Sequence, residues 1–362
     1  MHNIPYKWFQ VFPVFLLPLS VVLLALVMMM ERINGAARWM TFMGVQFQPS
    51  EVAKMAVIIV TAFILSKGQD EDGASPKAFK RIMIITGVIC LLIAPENLST
   101  AALLFGVVYL MMFIGRVAMK KLLILAGGLA GVAIIGVTFL VLTKNSDLPF
   151  LHRFDTWRAR IEKFTNDNEV PAAKFDIDKD AQIAHARIAV ATSHVVGKGP
   201  GNSVQRDFLS QAFSDFIFAI IIEELGLIGG AFVVFLYVCL LIRVGRIAKK
   251  CERTFPAFLI IGIALLLVSQ AIFNMMVAVG LAPVTGQPLP LISKGGTSTL
   301  INCAYIGMIL SVSRYTARLE EQKEHDALIP MQVEVPAEET NSDAQTAAEP
   351  TAKVLNSDAE FE

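Results

Sequence analysis

The chain has 362 residues, 55% of them apolar and 17% charged, and its 31 basic and 31 acidic residues cancel. So apolar a composition excludes an ordinary soluble globular protein and points to a polytopic membrane protein. The zero net charge hides basic short loops and an acidic tail, and it gives no footing for a nucleic-acid partner.

The first apolar run, from about Val11 to Met30, is long enough to span a bilayer, and no small-residue cleavage site follows it. It reads as a spanning helix and not as a cleaved signal. Further spans are expected at roughly 51–66, 80–95, 99–115, 119–143, 215–242, 256–280 and 290–313, about eight in all, which makes the fold an all-α polytopic transmembrane helical bundle. The runs 80–95 and 99–115 are short and parted by PENLST; they read as two spans, with one re-entrant pair as the alternative. Lys7, the Lys67–Arg81 stretch, Arg116, Lys120, Lys121, the cluster Arg243, Arg246, Lys249, Lys250 and Arg253, and then Arg314 and Arg318 all fall on one side of such a bundle. The positive-inside rule makes that side cytoplasmic, together with both termini. Loops 31–50, 95–99, 144–214 and 281–289 then face out, and 144–214 is a long extracytoplasmic loop. Residues 1–314 form the transmembrane domain, while 315–362, rich in Glu, Ala, Thr and Pro, read as a disordered acidic cytoplasmic tail.

The long loop opens with HRFDTWRARIEKF, in which Phe154, Trp157, Ile161 and Phe164 recur at helical spacing with Arg153, Arg158 and Arg160 between them. A basic amphipathic helix on the membrane surface fits, with lipid phosphates as partners. His185 and His194 have no matching acid pattern, and the four cysteines lie in or beside apolar segments, so neither a metal pair nor a disulfide framework is indicated.

Four places put ionisable or helix-breaking residues at or within the membrane, where a charge is costly and rarely idle. Asp215 stands where the polar loop meets FIFAIII. It is either the N-terminal cap of a membrane helix, which would lower its pKa, or a carboxylate between water and an apolar wall, where a raised pKa suits a general base. A continuous helix over 215–242 would be about 42 Å long against roughly 30 Å of hydrocarbon, so its start should project. Glu223 and Glu224 lie about 12 Å deeper along it, and at least one of them needs a partner such as Lys54, Lys294 or a helix end. In FQPSEVAK, Pro49 suits a first helical turn, Ser50 and Glu51 favour its positive end, and Glu51 and Lys54 can pair at i, i+3. Arg38, beside the interfacial Trp39, is another outer-face cation. In GLAPVTGQPLPLISKGGTS the prolines and glycines break helix, and such backbone must line protein or a water-filled cavity. Lys294, placed inside the last span, snorkels, pairs with a carboxylate or meets an anionic ligand. In PENLST, Glu96 and Asn97 sit at the outer end of a short span, a helix terminus satisfied by Asn and Ser side chains. Neither GKGPGN nor SKGG has the pattern or setting of a nucleotide loop.

FQPSEVAK, GKGPGNSVQRDFLSQAFSDFIFAIIIEELGLIG and GLAPVTGQPLPLISKGGTS, in that order and spacing, resemble the SEDS family of bacterial cell-wall polymerases, to which FtsW, RodA and SpoVE belong, over about residues 5–315. GPGNSVQ and PVTGQPLPLIS are more similar to the division branch than to the elongation or sporulation branches. The resemblance implies a ten-span integral membrane peptidoglycan glycosyltransferase that polymerises lipid II into a nascent glycan strand on the outer face of the inner membrane. It implies a class B penicillin-binding protein as partner, along with other divisome membrane proteins at the septum. Asp215 falls on the family's essential acid, and Glu51, Lys54 and Arg38 fall on its motif positions. Arg153, Arg158, Gln205 of the GPGNSVQ motif and Lys294 complete the candidate substrate contacts.

The chain departs from that pattern at three points. It begins at what would be the family's third span, leaving the first two helices unaccounted for, which is expected of a misplaced start or a shortened gene. An Asp-Leu-Gly-Thr pattern reads Asn97-Leu98-Ser99-Thr100, and Lys294 stands where Ser-Tyr-Gly-Gly has its tyrosine.

The expected chemistry is an inverting transfer in one step, with Asp215 as general base on the attacking sugar hydroxyl. The departing undecaprenyl pyrophosphate needs positive charge from Arg38, Lys54, Arg153 and Arg158, or from a divalent cation, for which no ligand spacing gives independent support. Two other classes fit the same residues. A lipid II flippase would depend on Glu223, Glu224, Lys54 and Lys294 more than on Asp215, and a non-catalytic divisome scaffold would tolerate the loss of all of them.

Overall fold

The computed structural model describes residues 1–29, 40–42, 45–70, 73–142, 179–209 and 212–333. Arg38, Arg153, Arg158 and the HRFDTWRARIEKF stretch lie outside the described residues, as does the chain from 334 on. Two units divide the chain, Met1–Arg318 and Leu319–Glu362.

In chain order the helices are α1 (Phe12–Met28), α2 (Pro49–Lys67), α3 (Pro76–Ile93), α4 (Leu98–Ile114), α5 (Met119–Leu142), α6 (Lys179–Ala191), α7 (Ile217–Lys250), α8 (Thr254–Ala278) and α9 (Gly296–Val333). The all-α expectation holds, with two short additions. An antiparallel hairpin pairs β1 (Met40–Phe42) with β2 (Val45–Phe47), and a smaller one pairs β3 (Gln69–Asp70) with β4 (Gly73–Ala74).

Among the described residues, five stretches are long and apolar enough to cross a membrane: Pro49–Lys67, Met119–Gly136, Ile217–Lys250, Thr254–Ala278 and Gly296–Asp326. Helices α1 and α4 are apolar but shorter, and α3 carries Lys77, Lys80 and Arg81 near its start. Each expected span is helical, but two boundaries move. Helix α7 runs on to Lys250. The last helix begins only at Gly296, because Pro288 and Pro290 lack the N–H that a helix requires and Leu291 turns left-handed at φ 68°. Helix α9 also continues past Arg314 to Val333, where a disordered tail was expected; Leu, Glu, Gln, Lys and Ala in RLEEQKEHDAL are good helix formers.

Helix starts follow local chemistry. Ser75 caps α3 by accepting from Ala78 N–H, and Pro76 occupies the first helical turn. Asn97 caps α4 by accepting from Thr100 N–H at 3.2 Å, as the PENLST reading expects, and α3 and α4 are separate helices across that turn.

Helix α2 sits inside the bundle, packed by α1, α3, α4 and α8, and its residues are buried nearly all round. An apolar helix without a polar stripe belongs in such a position. Helix α8 is the second central element, against α2, α4 and α7. Ile58 and Ile59 of α2, Leu104 and Met111 of α4, and Leu259, Ile263 and Leu267 of α8 form the middle of the core. A Cβ on Gly262 would come within 2.6 Å of Met111, so a glycine permits α8 to approach α4.

Hydrogen bonds separate the two ends of the bundle. At one end the basic turns join: Ser75 N–H donates to Gly68 O, Ala74 N–H to Arg116 O, Gln69 Nε2 to Gly115 O and Thr254 Oγ1 to Ser66 O. At the other end the loops near 97–100, 212–216 and 281–295 meet.

Candidate active site

At that second end, Asp215 lies half-buried in a turn just before α7. It neither begins nor caps the helix, since Phe216 holds the cap position at φ −112° and ψ 14°, without a side-chain cap bond. The reason is tertiary. Asn274 Nδ2 of α8 donates to Asp215 O at 2.9 Å, Ser293 Oγ donates to Ser214 O at 2.6 Å, and Lys294 N–H donates to Phe213 O at 2.8 Å. The backbone of 213–215 is thus held by α8 and by the loop before α9 instead of winding into α7. Ser214 Oγ donates to Asp215 Oδ1 at 3.1 Å.

The loop before α9 is fixed in turn. Asn274 Nδ2 also donates to Gln287 O at 2.7 Å, Gln287 Nε2 reaches Thr100 Oγ1 at 2.5 Å, Gln270 Nε2 reaches Pro288 O at 3.3 Å, and Leu289 N–H donates to Ser293 Oγ at 2.7 Å. Tyr237 OH donates to Pro290 O. Lys294 is exposed and precedes the helix, so its expected place inside a span is corrected. Pro288, Pro290 and these side-chain bonds keep that stretch out of regular structure.

Glu51 and Lys54 pair at 2.7 Å, with side-chain exposures of 3% and 0%, as the i, i+3 spacing predicts. Lys54 Nζ also donates to Gln270 Oε1 at 3.3 Å. Two charges so deeply buried persist because each has the other as partner, and Lys54 has a second acceptor in Gln270. Gln270 and Asn274 stand one turn apart on α8, so the pair and the Asp215 turn are braced by the same helix. Beside this end, a small cavity is lined by Leu24, Val27, Gln48, Pro49, Ser50, Leu92, Ile93, Glu96 and Asn97.

Glu223 is fully buried, and its partner is neither Lys54 nor Lys294. Lys198 Nζ donates to Oε1 at 2.6 Å. Ser203 Oγ donates to Oε2 at 2.5 Å, Val204 N–H to Oε1 at 3.2 Å and Gln205 N–H to Oε2 at 3.3 Å. The Gln205 side chain meets His185 Nδ1 at 2.6 Å, and His185 stacks on Phe208 with centroids 5.1 Å apart. The sequence pattern does not single out Lys198 or Ser203. The usable signal is Glu223 itself, an acid inside an apolar run that must find a cation, with Lys198 between two glycines in the loop just upstream.

Two glycines where this loop meets α7 are steric requirements. Gly226 breaks α7 with φ 73° and ψ −171°, and a Cβ there would lie 2.2 Å from Val195 O. Gly197, at φ 77°, would place a Cβ 2.4 Å from Glu224 O. Across this contact Lys198 N–H donates to Glu223 O at 3.0 Å and Gly199 N–H to Glu224 O at 2.8 Å, while Leu227 and Ile228 N–H donate to His194 O and Val195 O, both at 3.3 Å. The loop satisfies the backbone groups that the kink releases.

The structure therefore brings together Asp215, Lys294 by its backbone, and the Glu51–Lys54 pair through α8, and it sets Gln205 in a separate loop anchored on α7. Arg38, Arg153 and Arg158 lie outside the described residues. Among the described residues no group of three or more His, Cys, Asp or Glu side chains converges on one point.

A family model described as "Cell cycle protein", FTSW_RODA_SPOVE, matches residues 1–318. The chain is 34% identical over 282 residues to a probable peptidoglycan glycosyltransferase FtsW of Geobacter sp. (strain M18), covering 77% of this chain and 72% of the relative. It is 32% identical over 330 residues to the probable FtsW of Halomonas elongata, covering 88% and 78%. Among solved structures it is similar to a chain described under "Structural coordination of polymerization and crosslinking by a peptidoglycan synthase complex", with a TM-score of 0.68, 25% identity and coverage of 87% and 84%. The fold is also that of Thermus thermophilus Rod shape determining protein RodA, with a TM-score of 0.59 at 23% identity and coverage of 86% and 81%.

Proposed function

The chain belongs to the FtsW, RodA and SpoVE family of cell cycle proteins, and on that premise we propose that it polymerises lipid II at the outer face of the membrane with Asp215 as general base. It is a peptidoglycan glycosyltransferase, the activity that its FtsW relatives carry in their names. It is a multi-pass protein of the bacterial inner membrane. We place it at the division septum with both termini and the basic turns in the cytoplasm, by the positive-inside rule. A class B penicillin-binding transpeptidase is the proposed partner, supported by the likeness to a chain of a complex that joins polymerisation to crosslinking.

The observation that carries the mechanism is the fixed yet half-buried Asp215: its backbone is tied down by Asn274, and Ser214 Oγ donates to its carboxylate. A base held this way needs little reorganisation when a hydroxyl arrives. In the proposed step the sugar hydroxyl of one lipid-linked disaccharide gives its proton to Asp215 while its oxygen bonds to the anomeric carbon of the other. The anomeric carbon–phosphate oxygen bond breaks, undecaprenyl pyrophosphate departs with the electron pair, and the configuration inverts. Arg38, Arg153, Arg158 and the exposed Lys294 are the proposed contacts for pyrophosphate charge, and Gln205 for the sugar. Lys54 and Glu51 act from inside the bundle by bracing the site. A divalent cation, when bound, would supply further charge to the leaving group.

The transport alternative needs a path of available deep charges. Lys54 pairs with Glu51 and Glu223 with Lys198, so these pairings lend transport no support. The experiment is polymerisation of purified lipid II by the protein with its transpeptidase, wild type beside Asp215→Asn. Polymer from wild type alone is expected, and equal polymer from both would overturn the general-base role.

A further inference from the structure

We propose that Glu223 is a positioning residue that holds the 198–205 loop so that Gln205 faces the sugar of the bound lipid-linked substrate, an inference that rests on the glycosyltransferase reading. The carboxylate accepts from four donors, all from this one loop: Lys198 Nζ at 2.6 Å, Ser203 Oγ at 2.5 Å, Val204 N–H at 3.2 Å and Gln205 N–H at 3.3 Å. An ionised carboxylate has about four lone-pair sites, so Glu223 is filled. Neutralising a buried acid requires only Lys198. The other three donors instead pin the far end of the loop, and two of them are backbone N–H groups, which read the position of the chain and not its side-chain chemistry.

The near end of the loop is fixed independently, by Lys198 and Gly199 N–H on the carbonyls of Glu223 and Glu224. One turn of α7 thus grips the loop at both ends. Gln205 follows directly: its backbone is on Glu223 and its side-chain oxygen on His185 at 2.6 Å, which aims the half-buried amide. Asp215 has separate supports on α8 and on Ser214. Loss of the Glu223 clamp should therefore weaken substrate contact while leaving the base in place.

The test is steady-state polymerisation of lipid II by the full chain with its transpeptidase. Glu223→Gln puts an amide N–H against donors; it should raise KM about tenfold and change kcat less than about twofold. Gln205→Ala should do the same, and the double variant should be no worse than either single. Lys198→Met, which leaves Ser203 and both backbone donors in place, should raise KM less than about threefold. A fall in kcat at unchanged KM, or additive effects of Glu223→Gln and Gln205→Ala, would overturn the proposal. A wild-type protein that makes no polymer would count against the function and not against the clamp. The clamp is then read by trypsin: cleavage after Arg206, which is 33% exposed, should be several-fold faster in folded Glu223→Gln than in wild type, and equal rates would overturn it.

Discussion

Lys54 of α2 and Gln270 of α8 meet inside the bundle, the ammonium donating to the amide oxygen at 3.3 Å. Gln270 in turn donates to Pro288 O, and Asn274, one turn further along α8, holds both Gln287 O and Asp215 O. A fully buried ion pair is thereby linked, through one face of one helix, to the turn that carries Asp215.

Breaking that ion pair on one side strands a charge. Lys54→Met should destabilise the protein by about 3–5 kcal/mol, whereas Glu51→Gln combined with Lys54→Met should cost less than Lys54→Met alone. Thermal unfolding in detergent measures both. A double variant that stays folded and makes polymer would show that neither charge is needed for the chemistry.

Asn274→Ala removes the donor to Asp215 O and the donor to Gln287 O, and leaves those two carbonyls without it. A loss of about 1–3 kcal/mol is expected, with polymerisation reduced in the fraction that remains folded. Asn274→Asp should not restore activity, because a carboxylate cannot donate to Asp215 O. Unfolding midpoints and initial rates at saturating lipid II check this.

Asp215→Asn keeps the size of the side chain and an acceptor oxygen for Ser214 Oγ but cannot take a proton. The rate of polymerisation should fall at least about 100-fold with little change in thermal stability. Initial rates and unfolding midpoints on the same preparation distinguish chemistry from folding.

Two glycines on α7 should respond oppositely to alanine. Gly226→Ala drives a methyl to 2.2 Å from Val195 O at a positive φ and should cost more than about 2 kcal/mol. Gly245→Ala meets nothing within 4 Å and should be neutral or stabilising by roughly 0.5–1 kcal/mol. Unfolding midpoints of the two variants, compared directly, give the answer.

Much of this molecule is legible in its amino-acid order. The apolar runs place the helices, because a membrane demands about 20 apolar residues per crossing and leaves no other regular option for a single chain segment. Pro49 and Glu51 mark the start of α2, Asn97 caps α4, and the Glu51–Lys54 pair follows from their spacing, since all of these are contacts within one or two turns. The motif strings lead to the family, and the family model matches residues 1–318.

What the one-dimensional pattern misplaced are residues whose conformation depends on distant partners. Asp215 looks like a cap because it precedes an apolar run, but side chains from α8 and from the loop before α9 hold its turn out of the helix. Lys294 looks intramembrane because apolar residues flank it, yet two prolines and the bonds on Phe213 and Ser214 keep it in an exposed loop. Glu223 announces that it needs a cation, but Lys198, 25 positions away, becomes the partner only because Gly197 and Gly226 let two backbones touch. Sequence by itself determined the helical runs, the Asn97 cap and the local ion pair, since those energies are settled within a few residues. Tertiary structure alone decided which turn carries the acid and which loop neutralises the buried carboxylate, because a buried polar group takes its partner from whatever the packed bundle brings within hydrogen-bond reach.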